Sequence, residues 1–253
     1  RCLLLLDQDI RITIPVRNLE KATNLYADVL DRIRIVECDL LIFIESLEEQ
    51  FDFIIHCASP TSGRFMAEYP VETFELAFES TQALLKYALK YAIKSMVYVS
   101  SLEFYGQNFD DRIVTEDFQG YIDASSARSC YPLGKRAAEY LCILYAKEYC
   151  LPIKIARLTQ TFGAGISSDD NRVFAQFARS VLLGTDIVLH TTGESAKPYC
   201  YTTDCASAIL TILLKGNRGE AYNVANQNTY ISIREMAELL RDKFNPDINV
   251  IVE

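Results

Sequence analysis

Tyr131 and Lys135 stand four residues apart in the run Cys130-Tyr131-Pro132-Leu133-Gly134-Lys135-Arg136, the only Tyr-x-x-x-Lys spacing in the chain. On a helix both side chains leave one face. A phenol beside a fixed ammonium has its anion stabilised, so its pKa is expected to fall from about 10 towards neutrality. Such a phenol can take a proton from an alcohol or return one to a carbonyl oxygen. Upstream, Met96-Val97-Tyr98-Val99-Ser100-Ser101 reads as a buried strand, and the Ser101 hydroxyl at its end could hydrogen-bond the same substrate oxygen. The bland alternative is an amphipathic helix with a surface lysine. Among fifteen tyrosines one such spacing arises readily by chance, so the preceding strand and its serines carry much of the chemical reading.

The elements that must position these groups can be read from hydropathy. Residues 132–149 have helical apolar spacing, and Pro132 suits a first turn, where a missing N–H does no harm. Strands are expected at 10–16, 33–38, 51–57, 96–100 and 153–157, and helices at 19–30 and 70–91. Phe74, Phe78, Ala83, Leu84 and Tyr87 are the expected inward positions of the last of these. Strands alternating with such helices imply an α/β fold, a doubly wound, mostly parallel sheet with right-handed crossovers. Ligands in such sheets sit beyond the carboxyl ends of the strands, where Asp39, Ala58-Ser59-Pro60, Ser100-Ser101 and Arg157 all fall.

From Thr159 the texture changes. A loop is expected at 163–170, a helix at 173–183, a strand at 186–190 and a loop at 193–197. A helix at 203–215, a strand at 221–224 and a helix at 232–244 follow, the last capped by Ser232 with Glu235 in a capping box. The expected division is a dinucleotide-binding domain of 1–157 plus about 186–225, with a small interleaved substrate lobe of 158–185 and 226–253. Residues 1–8 read as the last turns of a helix and 250–253 as part of a strand, so the chain is taken as a fragment.

A net charge of −9 argues against a nucleic-acid surface, although local cations could hold a phosphorylated small molecule. No apolar run approaches a membrane span. The eight cysteines contain no Cys-x-x-Cys and only two histidines accompany them, which argues for structural thiols in a reducing cytoplasm and against a metal site.

With these segments in place, the chain resembles the extended short-chain dehydrogenase/reductases, in particular the NAD-dependent epimerase/dehydratase family acting on nucleotide sugars. Phe53-Ile54-Ile55-His56-Cys57-Ala58-Ser59-Pro60 is similar to that family's cofactor-lining strand and loop. Ser101-Leu102-Glu103-Phe104-Tyr105-Gly106 resembles its Ser/Thr-x-Glu-x-Tyr-Gly signature, and Cys130 to Glu139 the Tyr-x-x-x-Lys helix of UDP-glucuronate decarboxylases. Asn171-Arg172-Val173-Phe174 and residues 199–204 resemble later nucleotide-binding and domain-closing motifs.

The resemblance implies a Rossmann-like fold, resident NAD, and oxidation of a sugar 4-hydroxyl to a 4-keto intermediate. Tyr131, Lys135, Ser101 and Glu103 would be catalytic, with Glu103 on the Ser101 side if the strand continues. Arg17, Asn18, Asp39, Leu40, Ala58, Ser59, Pro60 and Ser100 would line the cofactor with Tyr131 and Lys135. Ser101, Gln160, Arg172, Val173 and Lys197 would meet the nucleotide sugar. A homodimer through the helices at 70–91 and 132–149 is also implied.

The departures are informative. No Gly-rich phosphate loop precedes or follows the strand at 10–16, because the first glycine is Gly63. Leu102 stands where 4,6-dehydratases carry an acid, and Ala77, Gln160 and Lys197 replace other usual residues. Arg17 stands where NAD-specific members place an acid, which opens NADP as an alternative. Asp39 could equally cap the helix after it. The alternatives to a nucleotide-sugar enzyme are a same-fold reductase of a non-sugar carbonyl and a non-catalytic scaffold lacking the cofactor loop.

Overall fold

The computed structural model describes residues 1–6, 9–107 and 113–253 of the chain, so Asp7 and Gln8 of the expected opening helix lie outside the described residues. Backbone contacts divide it into two units, Arg1–Ala156 with Leu210–Tyr222, and Arg157–Ile209 with Asn223–Glu253.

In the first unit, α1 (Cys2–Leu6) precedes β1 (Ile12–Val16), which pairs in parallel with β2 (Ile33–Glu37). Between them α2 (Leu19–Leu25) is shorter than expected. It starts at an Asn18 cap and ends at Tyr26, and a separate 3-10 turn occupies Leu30–Arg32. Helix α3 (Leu40–Glu45) begins at Asp39, which caps it as one reading of that residue expected: its carboxylate accepts from the Leu41 and Ile42 amides at 2.9 and 3.4 Å. Next come β3 (Phe53–His56), α4 (Gly63–Glu68), α5 (Pro70–Tyr91), β4 (Ser95–Ser101), α6 (Cys130–Glu148) and β5 (Ile153–Leu158). The strand order is β3-β4-β5-β9, where β9 is Ala221–Val224, and β3 and β4 pair in parallel. The α/β architecture with parallel strands is as expected, but the sheet is not continuous. Among the described residues β1-β2 forms one sheet and β3-β4-β5-β9 another.

Burial follows from apolar strands lying under two long helices. Leu85, Met96, Cys142, Ile153 and Ile155 are fully buried in one cluster. Of the expected inward positions of α5, Leu84 and Tyr87 are buried and Ala83 packs against the core; Thr73, Ala77, Ser80, Thr81 and Leu85 are buried as well, while Phe74 is exposed and stacks on Phe78. Helix α6 approaches closely here: a Cβ on Gly134 would lie 3.4 Å from both the Ala77 methyl and the Phe74 Cα and 3.6 Å from the Phe74 ring, so Phe74 sits at the margin of that contact with part of its ring exposed.

The second unit contains β6 (Gln160–Phe162), α7 (Val173–Leu183), β7 (Ile187–Leu189), β8 (Ala196–Tyr201), α9 (Ile233–Phe244) after β10 (Asn226–Ser232), and β11 (Val250–Val252). Residues 186–209 therefore belong here and not with the first unit. The reason is pairing: β7 pairs with β11, and β8 lies between β10 and β6. Strand β8 takes in the end of the expected 193–197 loop, because its polar start is antiparallel to β10 and not punctuated by a turn. Helix α8 (Thr202–Lys215) spans the boundary between the units. The Ser232–Glu235 capping box is formed in both directions. Among the described residues no helix is long and apolar enough to cross a membrane.

Truncating Leu85, fully buried between α5 and the sheet, removes apolar contacts that the close-packed seam cannot refill. Leu85→Ala should destabilise the chain by about 2–5 kcal/mol, read as a lower urea midpoint at unchanged slope.

Candidate active site

Strand β4 delivers Ser100 and Ser101 at its carboxyl end, and α6 starts at Cys130, so Tyr131 lies inside the first turn and one helical turn before Lys135. The Lys135 ammonium is 5.8 Å from the Tyr131 ring centroid and 5.0 Å from that of Tyr98. It donates to the Val99 carbonyl at 2.9 Å and is 3% exposed. The Ser101 hydroxyl lies close enough to the Tyr131 phenol to act on its pKa and accepts from the Glu103 amide at 3.2 Å. Tyr131, Lys135, Ser101 and Glu103 are thus brought together within the first unit.

The electrostatics correct the expected phenol. Burial pushes Tyr131 above its ordinary value of 10.0, with the nearby Ser101 and, more weakly, Ser59 hydroxyls acting downward and the Glu103 charge acting upward. Desolvation wins because the ammonium points at a backbone carbonyl and a second ring, and it too is depressed by burial, to about 8. Glu103 reaches the phenol by a route other than strand alternation. Strand β4 ends at Ser101, and Leu102–Tyr105 forms a 3-10 turn pinned by Arg136, whose guanidinium donates to the Phe104 and Gly120 carbonyls. Gly106 follows at φ +68, where a Cβ would meet the Tyr121 carbonyl oxygen at 2.4 Å.

The loop Ala58-Ser59-Pro60 follows β3. Ser59 Oγ and Ser100 Oγ are buried without a hydrogen-bond partner. Asn18 and Asp39 serve as helix caps, Leu40 packs against the core, and Arg17 is exposed. The substrate candidates belong to the second unit. Gln160 opens β6, opposite Tyr199, and Val173 opens α7. Arg172 is tied to Asp170 and lies 4.7 Å over the Phe174 ring, so its charge is already matched. Lys197 lies in β8 opposite Ile231.

Sequence reasoning assigned no role to His56, Tyr98 or Arg136. His56 ends β3, fully buried against Thr81 and Ser80 at 3.0 and 3.3 Å. A histidine placed between apolar residues and followed by a cofactor-type loop was the signal available for it.

His56 also links protonation to stability. Burial, helped by the Lys135 charge, lowers its pKa from 6.5 to about 3. Between those values the unfolded chain binds the extra proton, so stability falls as pH drops from 6.5 towards 3. Equilibrium denaturation across that range should show this loss, and His56→Gln should flatten it.

The model of the NAD dependent epimerase/dehydratase family matches residues 2–225. UDP-glucuronic acid decarboxylase 6 of Arabidopsis thaliana is 29% identical over 81% of the chain and 59% of its own length. UDP-glucuronic acid decarboxylase 1 of Danio rerio is 27% identical over 78% of the chain and 46% of its own length, so the chain spans about half of these relatives. Among solved structures, UDP-N-acetylglucosamine 4-epimerase from Methanobrevibacter ruminantium superposes with a TM-score of 0.86 at 21% identity, over 98% of the chain and 79% of the other. dTDP-glucose 4,6-dehydratase from Bacillus anthracis, solved in complex with NAD, gives 0.81 at 20% identity over 100% and 79%. Family match and fold agree with the phenol, ammonium and serine gathered at the end of β4: the chain belongs to the NAD dependent epimerase/dehydratase family.

Proposed function

We propose that this chain carries the catalytic half of a nucleotide-sugar epimerase, dehydratase or decarboxylase, working through a 4-keto sugar, with Tyr131 moving the proton. The observation that carries the reading is the Lys135 ammonium 5.8 Å from the buried Tyr131 ring, with the Ser101 hydroxyl close enough to the phenol to act on its pKa. In the resting site the phenol holds its proton, the state that protonates a carbonyl oxygen on return. Ser101 orients the sugar hydroxyl, and Lys135 adds positive charge on the side where phenolate would develop. Glu103, close enough to act on the phenol, is the carboxylate that would take part once the ketone has formed.

Bound NAD, or NADP, would supply the hydride acceptor and a positive charge beside the phenol. The nicotinamide end suits the residues present: Lys135, Tyr131 and the buried, unpartnered Ser59 and Ser100 hydroxyls gather at the carboxyl ends of β3 and β4. The phosphate end does not find a cradle in these residues. In the 3-2-1-4-5-6 strand order of dinucleotide folds, β2-β1 and β3-β4-β5-β9 take the places either side of position 1, whose turn carries the glycines. Among the described residues no strand occupies that position. The second unit would contribute Gln160, Val173, Lys197 and Arg172 to the sugar nucleotide. Arg172 would first have to share the charge of Asp170.

Similarity to UDP-glucuronic acid decarboxylases favours decarboxylation over the other outcomes. The test incubates the chain, alone and preceded by a relative's Gly-rich strand–turn–helix, with NAD and UDP-, dTDP-, GDP- and CDP-sugars. Mass spectrometry should show loss of CO2 from a UDP-uronate. Tyr131→Phe should cut turnover by about 10²–10⁴-fold, and Glu103→Gln should stall the reaction after oxidation. Reduction of a simple ketone with no sugar converted would replace this reading by a non-sugar reductase.

A homodimer is proposed from the outer faces of α5 and α6, where Val71, Phe74, Leu89, Tyr140 and Leu144 are exposed. Sedimentation should show a dimer, and Leu144→Arg should shift it to monomer.

A further inference from the structure

Lys135 is buried with little to hold its charge. One donor goes to the Val99 carbonyl, and the titratable groups near it are the Cys57 thiol just after β3 and, on its own helix, the Cys142 thiol and the Glu139 carboxylate; burial keeps both thiols protonated, so Glu139 is the one charge among them. What faces the ammonium besides these is aromatic: Tyr131 on α6 and, nearer, Tyr98 from β4.

Tyr98 is itself held from behind. His56 lies 5.5 Å from it, ring to ring. The Thr81 hydroxyl donates to the Ala77 carbonyl at 2.7 Å and the Ser80 hydroxyl to the Leu76 carbonyl at 2.5 Å, so both hydroxyl protons are committed. Each hydroxyl can then only accept from His56, which places the imidazole proton on Nε2 and fixes the ring between β3 and α5. The Tyr98 hydroxyl is buried without a hydrogen-bond partner, so the ring and not the oxygen is what this position uses.

We propose that Tyr98 is a positioning residue whose ring face holds the Lys135 ammonium in place and in its charged form, and that His56 is the clamp that keeps that ring face turned to it. The assignment rests on the reading of Lys135 as the cation of the Tyr131 site. A cation over an aromatic face is attracted by the ring's quadrupole, most strongly where water is excluded. This attraction opposes the burial that lowers the Lys135 pKa.

The test is a pH titration of the Lys135 side chain by NMR in ¹³C-lysine-labelled chain, assigned by loss of its signal in Lys135→Met. Tyr98→Phe should leave the midpoint unchanged and raise the melting temperature, since it removes the unpartnered hydroxyl and keeps the ring. Tyr98→Leu should lower the midpoint by about one pH unit. If Tyr98→Leu fails to fold, phenylalanines of increasing ring fluorination at position 98 keep the shape and weaken the quadrupole, and should lower the midpoint stepwise. His56→Leu should lower it in the same direction and add little to Tyr98→Leu. A flat fluorination series, or equal shifts in Tyr98→Phe and Tyr98→Leu, would overturn the assignment. Turnover is not read, so either result leaves the chemistry of Tyr131 to its own test.

Discussion

Desolvation at the end of β4 is the constraint on which the rest of this site depends. Tyr131 and Lys135 both lose water there, and burial opposes the charge on each. The site answers mainly with fixed dipoles and ring faces, the Glu139 charge adding a smaller share. The Ser101 hydroxyl lies beside the phenol, Val99 accepts from the ammonium, and two rings present their faces to it.

The helices are arranged to make that dryness possible. Gly134 lets α6 lie close against Ala77 and Phe74 of α5, and Lys135, the next residue, reaches the Val99 carbonyl of β4. Arg136, one residue further on, donates to the carbonyls of residues 104 and 120 and so fixes the turn carrying Glu103. One helical turn therefore positions the cation and the carboxylate-bearing loop together.

Much of this was legible from local pattern. Helix α5 falls on the expected residues because Pro70 starts it and its length is unbroken, and the Ser232–Glu235 box announces α9. The approach of Tyr131, Lys135 and Ser101 could be read because two of them share a helix face and the third ends a buried strand. The rest depended on tertiary context. The direction of the phenol's shift turns on where the ammonium points, which spacing cannot show. Phe74 looked like core because it is large, yet it lies at the margin of the α5–α6 contact, part of its ring beside Gly134 and part exposed. Strands β6, β8 and β10 carry too many polar residues to show a period of two, and their pairing decides the second unit.

The most direct measurement is the titration of Tyr131 itself, followed through ¹³Cζ-labelled tyrosine in the cofactor-free chain and assigned with Tyr131→Phe. The account predicts a midpoint above the ordinary 10.0, moving higher still in Ser101→Ala. A midpoint near neutrality, or one indifferent to Ser101, would contradict it.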